Sequence, residues 1–207
     1  MDDWEAVVAE REDLADLGES LSDTQWDAPS LCAGWKVRHV FAHVVMGAEG
    51  GGVSRFLAYL IRSGFNFNRA SQRLSIRVGD DTSPQELAGR LRESAVSRRR
   101  LPGTTPAGLL AEAIVHGQDM RRPLAIDRVP PVERTVRALW SMVRTGSVLG
   151  NKDRIAGLRL VATDTEWSHG EGPEVRGPAE ALLMATCGRR VALDDLQGPG
   201  LDTLRSR

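Results

Sequence analysis

The sequence predicts a mainly α protein in which a bundle of about four helices is followed by a small α+β unit. Two observations carry this prediction. Up to about residue 125, apolar residues recur at helical spacing between short polar connections, and from residue 158 a segment alternates as a strand does. A proline-containing linker at 125–131 separates the two patterns. We therefore expect two domains, a helical bundle at 1–127 and a small α+β domain at 128–207.

Composition excludes several classes of protein. The chain has 207 residues, of which 41% are hydrophobic and 27% charged, and its net charge is −1. A dedicated nucleic-acid binder usually has a basic excess, which this chain lacks. No run of 18 apolar residues occurs, and the acidic N-terminus is unlike a signal peptide. Two distant cysteines, Cys32 and Cys187, make no disulfide framework. We expect a cytoplasmic protein that binds neither nucleic acid nor membrane.

Three bundle helices are predicted from their caps and their apolar spacing. The first begins at Asp2 or Asp3, whose carboxylates favour a helix N-terminus, and ends near residue 21. A second helical pattern covers Val53 to about Ile76. A third begins at the sequence Ser-Pro-Gln-Glu of residues 83–86, which combines a cap, a first-turn proline and an acidic third position. This helix is expected to end near Arg99.

A further predicted helix, from about Val37 to Gly47, carries two histidines. His39 and His43 are four residues apart, so their side chains stack on one face of the helix. A histidine in such a helix is usually a partly buried structural residue, and this spacing alone does not identify a metal site.

The segment Leu109–Arg121 is the helix around which the chain is organised. Threonine at 104 or 105 followed by Pro106 predicts its start, and Pro123 limits its end. Glu112 and His116 are four residues apart, so their side chains can share one ion. The alternative is an ordinary surface pair of a carboxylate and an imidazole, because short motifs of this kind are common.

The C-terminal domain begins with a predicted helix at about Val132–Thr145. The segment Leu158–Trp167 alternates and is predicted to be a strand, and Ser168–Pro173 is predicted to be a turn. Glu174–Gly177 then forms a short return strand, and a helix follows at Ala179–Thr186. Such a mixture is typical of a small α+β unit.

Two spaced motifs resemble those of a known family. The first, LCAGWKVRHVFAH, covers residues 31–43, and the second combines Glu112 with the run HGQDMRRPL at residues 116–124. They are similar to the patterns of the mycothiol-dependent maleylpyruvate isomerase family, within the DinB-like group of metal-binding four-helix bundles. Residues 158–183 also resemble the small C-terminal domain of that family. The resemblance covers most of the chain.

The resemblance implies a metal site and a thiol cofactor. Its motifs place metal ligands at His43, Glu112 and His116. Two imidazoles and one carboxylate leave a coordination position open, as in catalytic zinc sites, although nickel or iron(II) also suits this donor set. The implied cofactor is mycothiol, whose sulfur would bind at the open position as a thiolate. A thiolate can add to an electrophilic alkene, which drives cis–trans isomerisation, or can attack another electrophile.

Three further residues are candidates for the site. Gln118 and Asp119 lie one turn or less beyond His116, and either can orient a ligand imidazole or contact the cofactor. Asp119 can instead pair with a neighbouring arginine, Arg121 or Arg122. An acidic substrate needs a cation, and Arg189 is the candidate for it. The alternative for Arg189 is a solvated arginine at the end of a helix.

The chain departs from the family pattern at two positions near the motifs. His39 stands where the family usually has aspartate, and Ala125 replaces the final glycine of the second motif. Neither change touches the three implied ligands. They leave the role of His39 open.

The leading functional hypothesis is an enzyme that uses a divalent metal and mycothiol as a thiol transferase or a maleylpyruvate-type isomerase. Its partners would be a small-molecule thiol and an electrophilic substrate. One alternative is a metal-binding or small-molecule-binding module without turnover. Another is a metal hydrolase, or an iron-dependent oxidative enzyme, on the same scaffold.

Overall fold

The computed structural model describes residues 2–50, 53–100, 103–144 and 151–207. The chain divides into two compact units, Met1–Asp127 and Arg128–Arg207. The predicted fold class is confirmed, since the first unit is helical and the second combines helices with a three-stranded sheet. None of the described helices is long and apolar enough to cross a membrane.

The described helices of the first unit are α1 (Asp3–Ser20), α2 (Asp23–Trp26), α3 (Val37–Ala48), α4 (Val53–Arg62), α5 (Phe67–Asp81), α6 (Pro84–Ser94) and α7 (Pro106–Arg121). Their starts follow the predicted caps. The N–H of Glu5 donates to the Asp2 carboxylate, and the side chain of Thr105 accepts from Gly108 N–H. These bonds satisfy N–H groups that a helix leaves without internal partners.

The helical pattern predicted over 53–76 divides into two helices. Gly64 and Phe65 have φ angles of 63° and 60°, in the left-handed region that ends a helix. The side chain of Asn66 then caps α5 by accepting from Arg69 N–H at 2.9 Å. The prediction of one continuous helix was wrong because apolar spacing persists across this short turn.

The helix predicted to reach Arg99 ends at Ser94 instead. The cause lies in α1. The guanidinium of Arg11 is buried and donates to the carbonyl oxygens of Ala95 and Ser97, at 3.4 and 2.8 Å. These carbonyls therefore accept from a side chain of another helix. The spacing of apolar residues within α6 could not indicate this contact.

The core of the first unit lies between α1, α3, α6 and α7. Its centre includes Trp26 and Phe41, both fully buried, with ring centroids 4.7 Å apart. Helix α7 is buried along most of its length, which explains why its apolar residues extend around more than one face. Side chains on α7 thus project into the interior of the bundle, and this helix positions most of the site described below.

The described elements of the second unit are α8 (Val132–Arg144), α9 (Asn151–Ile155), β1 (Arg159–Ala162), β2 (Ser168–His169), β3 (Glu174–Gly177), α10 (Ala179–Thr186) and α11 (Leu201–Arg205). A 3-10 segment, Arg190–Asp195, follows α10. The predicted end of the α8 helix, Thr145, lies outside the described residues.

The sheet differs from the prediction in where the chain reverses. Strand β1 ends at Ala162, whose N–H donates to the carbonyl oxygen of Trp167 at 2.9 Å across a turn. The reversal therefore falls inside the predicted strand. Strand β2, which lies in the segment predicted to be a turn, pairs antiparallel with β1. Strand β3 pairs parallel with the other edge of β1. The alternation of apolar and polar residues over 158–167 did not show where strand β1 ends and the turn begins.

Candidate metal centre

Two of the three implied metal ligands lie on one face of helix α7. Glu112 and His116 are one turn apart, and both side chains are half-buried. The cap at Thr105 and the buried apolar residues on either side fix the rotation of the helix. The carboxylate and the imidazole therefore point in the same direction before any ligand binds.

Helix α3 supplies the third ligand, His43. The start of the helix is fixed by His39, whose Nδ1 accepts from the backbone N–H of Lys36 at 3.1 Å. The Nε2 of His39 lies 2.9 Å from Asp80 Oδ1, at the end of α5. Both ring nitrogens of His39 are thus used to join α3 to its own N-terminus and to α5. His39, at the third position of α3, therefore accepts from the N–H of the residue that precedes the helix, as the third residue of a capping box does.

The donor atoms of His43, Glu112 and His116 converge, and they all lie within 4.8 Å of one another. Nε2 of His43 is 3.4 Å from Oε1 of Glu112, and the two imidazole centroids are 5.0 Å apart with the rings nearly perpendicular. Ligand atoms of one tetrahedral zinc ion lie roughly 3.3 Å apart when the bonds have their usual lengths of about 2.0–2.1 Å. The spacing therefore fits a single divalent ion.

The carboxylate of Glu112 is held in a confined position. Loss of water contacts raises its pKa, against the opposing positive charges of His116 and Arg11. A Cβ atom at Gly47 would lie only 3.1 Å from Oε1, so the absence of a side chain on α3 makes room for the carboxylate. Because burial outweighs these positive charges, the ionised carboxylate would be stabilised by an additional cation beside it.

His43 is oriented by neutral groups. Its Nδ1 lies 3.3 Å from the Ser71 hydroxyl and 3.4 Å from the Ser75 hydroxyl, both on α5. The ring of Trp35 contacts the imidazole edge-on, with centroids 5.5 Å apart. These contacts leave Nε2 directed toward Glu112, as a metal ligand requires.

His116 is oriented by a carboxylate and a thiol. Its Nδ1 lies 2.9 Å from Oδ2 of Asp119, which is fully buried, and 3.9 Å from the Sγ of Cys32. Burial alone lowers the pKa of His116, but hydrogen bonds to Asp119 and Cys32 outweigh it and raise the pKa to about 10. Asp119 therefore contacts the imidazole of a proposed ligand. Arg121 pairs with Asp13 on α1.

Two predicted residues, Gln118 and Arg189, are not among the converging donor atoms. Gln118 is buried on α7, with 4% of its surface exposed. Arg189 belongs to the second unit, where it is half-buried after α10 and donates to the carbonyl of Cys187 at 2.7 Å. The structure thus brings together His43, Glu112, His116 and Asp119, and the predicted roles of Gln118 and Arg189 stay predictions.

Four residues around the donors were not singled out from the sequence: Cys32, Trp35, Ser71 and Ser75. The two serines are four residues apart on a helix, so they share a face, but many serine pairs do. Cys32 and Trp35 lie inside the first motif, which was the one signal that could have indicated them. Their contacts depend on how separate helices pack, and this is not encoded in local spacing.

Comparison with known proteins agrees with these observations. A family model described as the mycothiol maleylpyruvate isomerase N-terminal domain matches residues 7–136, more than half of the chain. Two solved structures share the fold: the crystal structure of a mycothiol-dependent maleylpyruvate isomerase and that of a histidine-to-alanine mutant of it. Each is 16% identical to this chain, covers 96% of both chains and has a TM-score of 0.53. A search of curated proteins finds no match.

Proposed function

Because this chain belongs to the mycothiol maleylpyruvate isomerase family, we propose that it is a metal- and mycothiol-dependent enzyme that acts on a small electrophilic substrate. The reaction would be a cis–trans isomerisation or the transfer of a thiol. The observation that carries the proposal is the convergence of His43, Glu112 and His116 from two helices.

The donor set fits a divalent ion by charge as well as by distance. Once a metal ion has displaced the proton of His116, two neutral imidazoles and one carboxylate carry a single negative charge, and three protein ligands leave at least one position open. Zinc suits these donors, and so do nickel and iron(II). A bound divalent ion would supply a Lewis acid that lowers the pKa of a coordinating thiol, so that it is a thiolate at neutral pH.

The residues of the chain orient the two imidazoles. Since Nδ1 of His43 faces two hydroxyls and Nδ1 of His116 faces Asp119, each ring offers its other nitrogen to the shared ion. Asp119 acts through His116 and does not need to touch the cofactor. This supports a positioning role for Asp119, in place of the direct cofactor contact that was one of its predicted roles.

Arg189 is proposed as the cation that binds the carboxylate of an acidic substrate. It is half-buried, whereas the adjacent Arg190 is exposed. Replacing Arg189 by Ala should raise KM for an acidic electrophile by at least about tenfold, the value of one lost charge-assisted hydrogen bond. The same change at Arg190 is the matched control, and equal effects of the two changes would contradict this role for Arg189.

The proposal is tested with the cobalt-substituted protein. Cobalt(II) bound by His43, Glu112 and His116 should give a visible spectrum that changes when mycothiol is added, because the thiol enters the coordination sphere. Replacement of His43 by Ala should abolish stoichiometric metal, whereas the same change at His169, in β2 of the second unit, should not. A cobalt spectrum that mycothiol leaves unchanged would favour a metal-binding module without thiol chemistry. Full metal occupancy after the loss of both His43 and His116 would refute the ligand set.

A further inference from the structure

The other nitrogen of His116 belongs to a second cluster of donor atoms. Nδ1 of His116, Oδ2 of Asp119 and Sγ of Cys32 all lie within 4.8 Å of one another. The three distances are 2.9 Å from Nδ1 to Oδ2, 3.2 Å from Sγ to Oδ2 and 3.9 Å from Sγ to Nδ1. Ligand atoms of one tetrahedral ion with a sulfur ligand are spaced roughly 3.3–3.7 Å apart, so these values bracket that spacing.

The backbone holds the thiol of Cys32 in this cluster. Leu31 N–H donates to the carbonyl of Asp119 at 3.0 Å, which fixes the segment before α3 to the end of α7. Cys32 N–H donates to the Ser30 hydroxyl at 3.2 Å, and Cys32 O accepts from Trp35 N–H at 2.9 Å. The position of the sulfur is therefore set by main-chain contacts on both sides. It does not depend on a bound ion.

We propose that Cys32, Asp119 and Nδ1 of His116 form a second metal site, selective for thiophilic divalent ions such as cadmium, whose occupation excludes an ion from the His43–Glu112–His116 site. A thiolate, an imidazole nitrogen and a buried carboxylate are together a softer donor set than two imidazoles and a carboxylate. An ion of high affinity for sulfur is therefore expected to prefer the cluster that contains Cys32.

The exclusion follows from the chemistry of the imidazole. A neutral imidazole has one lone pair, because its other nitrogen carries the proton. When Nε2 binds an ion beside His43 and Glu112, Nδ1 keeps its proton and donates it to Asp119. When Nδ1 binds an ion beside Cys32, Nε2 keeps the one remaining proton of the ring, and the protons of Nδ1 and of the thiol are released to solvent. The neutral imidazole of His116 can therefore coordinate only one ion at a time. The exclusion of one ion by the other rests on the proposed function, whereas the existence of the second site does not.

The existence of the second site is tested by cadmium binding to metal-free protein, followed by the ultraviolet charge-transfer absorption of a cadmium–thiolate bond. The wild-type protein and the His43→Ala variant should both give this absorption, since His43 is not part of the cluster. Cys32→Ser and His116→Ala should abolish it. Cys187→Ser is the matched control and should retain it, because Cys187 is the other cysteine of the chain and lies in the second unit. Absence of the absorption in wild type, or its loss in Cys187→Ser and not in Cys32→Ser, would overturn the proposal.

The exclusion is tested by adding cadmium to cobalt-loaded protein. The total bound metal should stay at one ion per chain, while the cobalt spectrum decreases in step with the rise of the thiolate absorption. In Cys32→Ser, cadmium added in the same amount should displace at least tenfold less cobalt. Simultaneous binding of one cobalt and one cadmium would overturn the exclusion. Cadmium–thiolate absorption in a protein whose cobalt binding is indifferent to His43→Ala would contradict the proposed function and leave the second site standing.

Discussion

The two imidazoles that face Glu112 have different surroundings. The Nδ1 of His43 is in contact with two neutral hydroxyls on α5, whereas that of His116 faces a fully buried carboxylate three residues along the same helix. A carboxylate partner makes an imidazole a stronger donor and fixes its tautomer, and a hydroxyl does so less strongly. His116 is therefore oriented by a charged partner, and His43 is oriented by hydrogen bonds to neutral groups. Variants that change the partners of His116 and variants that change the partners of His43 should therefore have different effects on stability and metal binding.

The largest contrast is expected in the stability of the metal-free protein. His116→Ala leaves the carboxylate of Asp119 buried without its cation, and this should lower the free energy of unfolding by about 3–5 kcal/mol. His43→Ala removes hydrogen bonds to neutral hydroxyls and should cost about 0.5–1.5 kcal/mol. Urea unfolding in the presence of a chelator measures both. Equal losses would mean that Asp119 does not stabilise the imidazole through charge.

The next effect concerns metal affinity. Asp119→Asn keeps the shape of the side chain but removes the negative charge beside His116, and metal affinity should fall about 10–100-fold. The matched control is Asp80→Asn, which removes a carboxylate from His39, a histidine that is not a proposed ligand. Zinc competition with a chromophoric chelator gives the two affinities. A loss in Asp80→Asn as large as that in Asp119→Asn would show that the effect comes from general destabilisation.

The hydroxyl side of the site should respond in a non-additive way. Nδ1 of His43 has one proton to donate, so either Ser71 or Ser75 can accept it alone. Each single change to Ala is expected to lower metal affinity no more than about threefold, and the double change about tenfold or more. Additive single effects in the same zinc competition would indicate that each serine has an independent role.

The smallest effect is expected at the contact between α3 and Glu112. Gly47→Ala should stabilise the helix by up to about 1 kcal/mol, because alanine is the better helix former. It also places a methyl group 3.1 Å from Oε1 of Glu112, which should weaken metal binding a few-fold by displacing the carboxylate. A variant that is more stable and binds metal as tightly as wild type would show that the carboxylate can move without loss.

The same contrast explains how much the sequence could predict. Glu112, His116 and Asp119 are on one helix, so their relation follows from a spacing of 3.6 residues per turn. His43 was connected to them through a resemblance of motifs, since no spacing relates residues 69 or more positions apart. Ser71 and Ser75 could not be predicted, because their contact with His43 depends on the turn at Gly64 and the packing of α5 on α3.

The sequence predicted the fold class correctly, but it did not predict every helix end or the pairing of the strands. Caps such as Thr105 were read correctly because they are local hydrogen bonds. The end of α6 was not predicted correctly, because Arg11 of α1 donates to two carbonyl oxygens just beyond it. Strand β3 was placed correctly, but its parallel pairing with β1 depends on a reversal inside the segment predicted to be one strand.

The central claim is that α3 and α7 together bind one divalent ion, and diffraction from zinc-loaded crystals at the zinc absorption edge tests it most directly. We expect one anomalous peak at about 2.0–2.2 Å from Nε2 of His43, a carboxylate oxygen of Glu112 and Nε2 of His116. A peak bonded to residues of α7 alone, a peak on the Nδ1 side of His116, or no peak at these residues would contradict it.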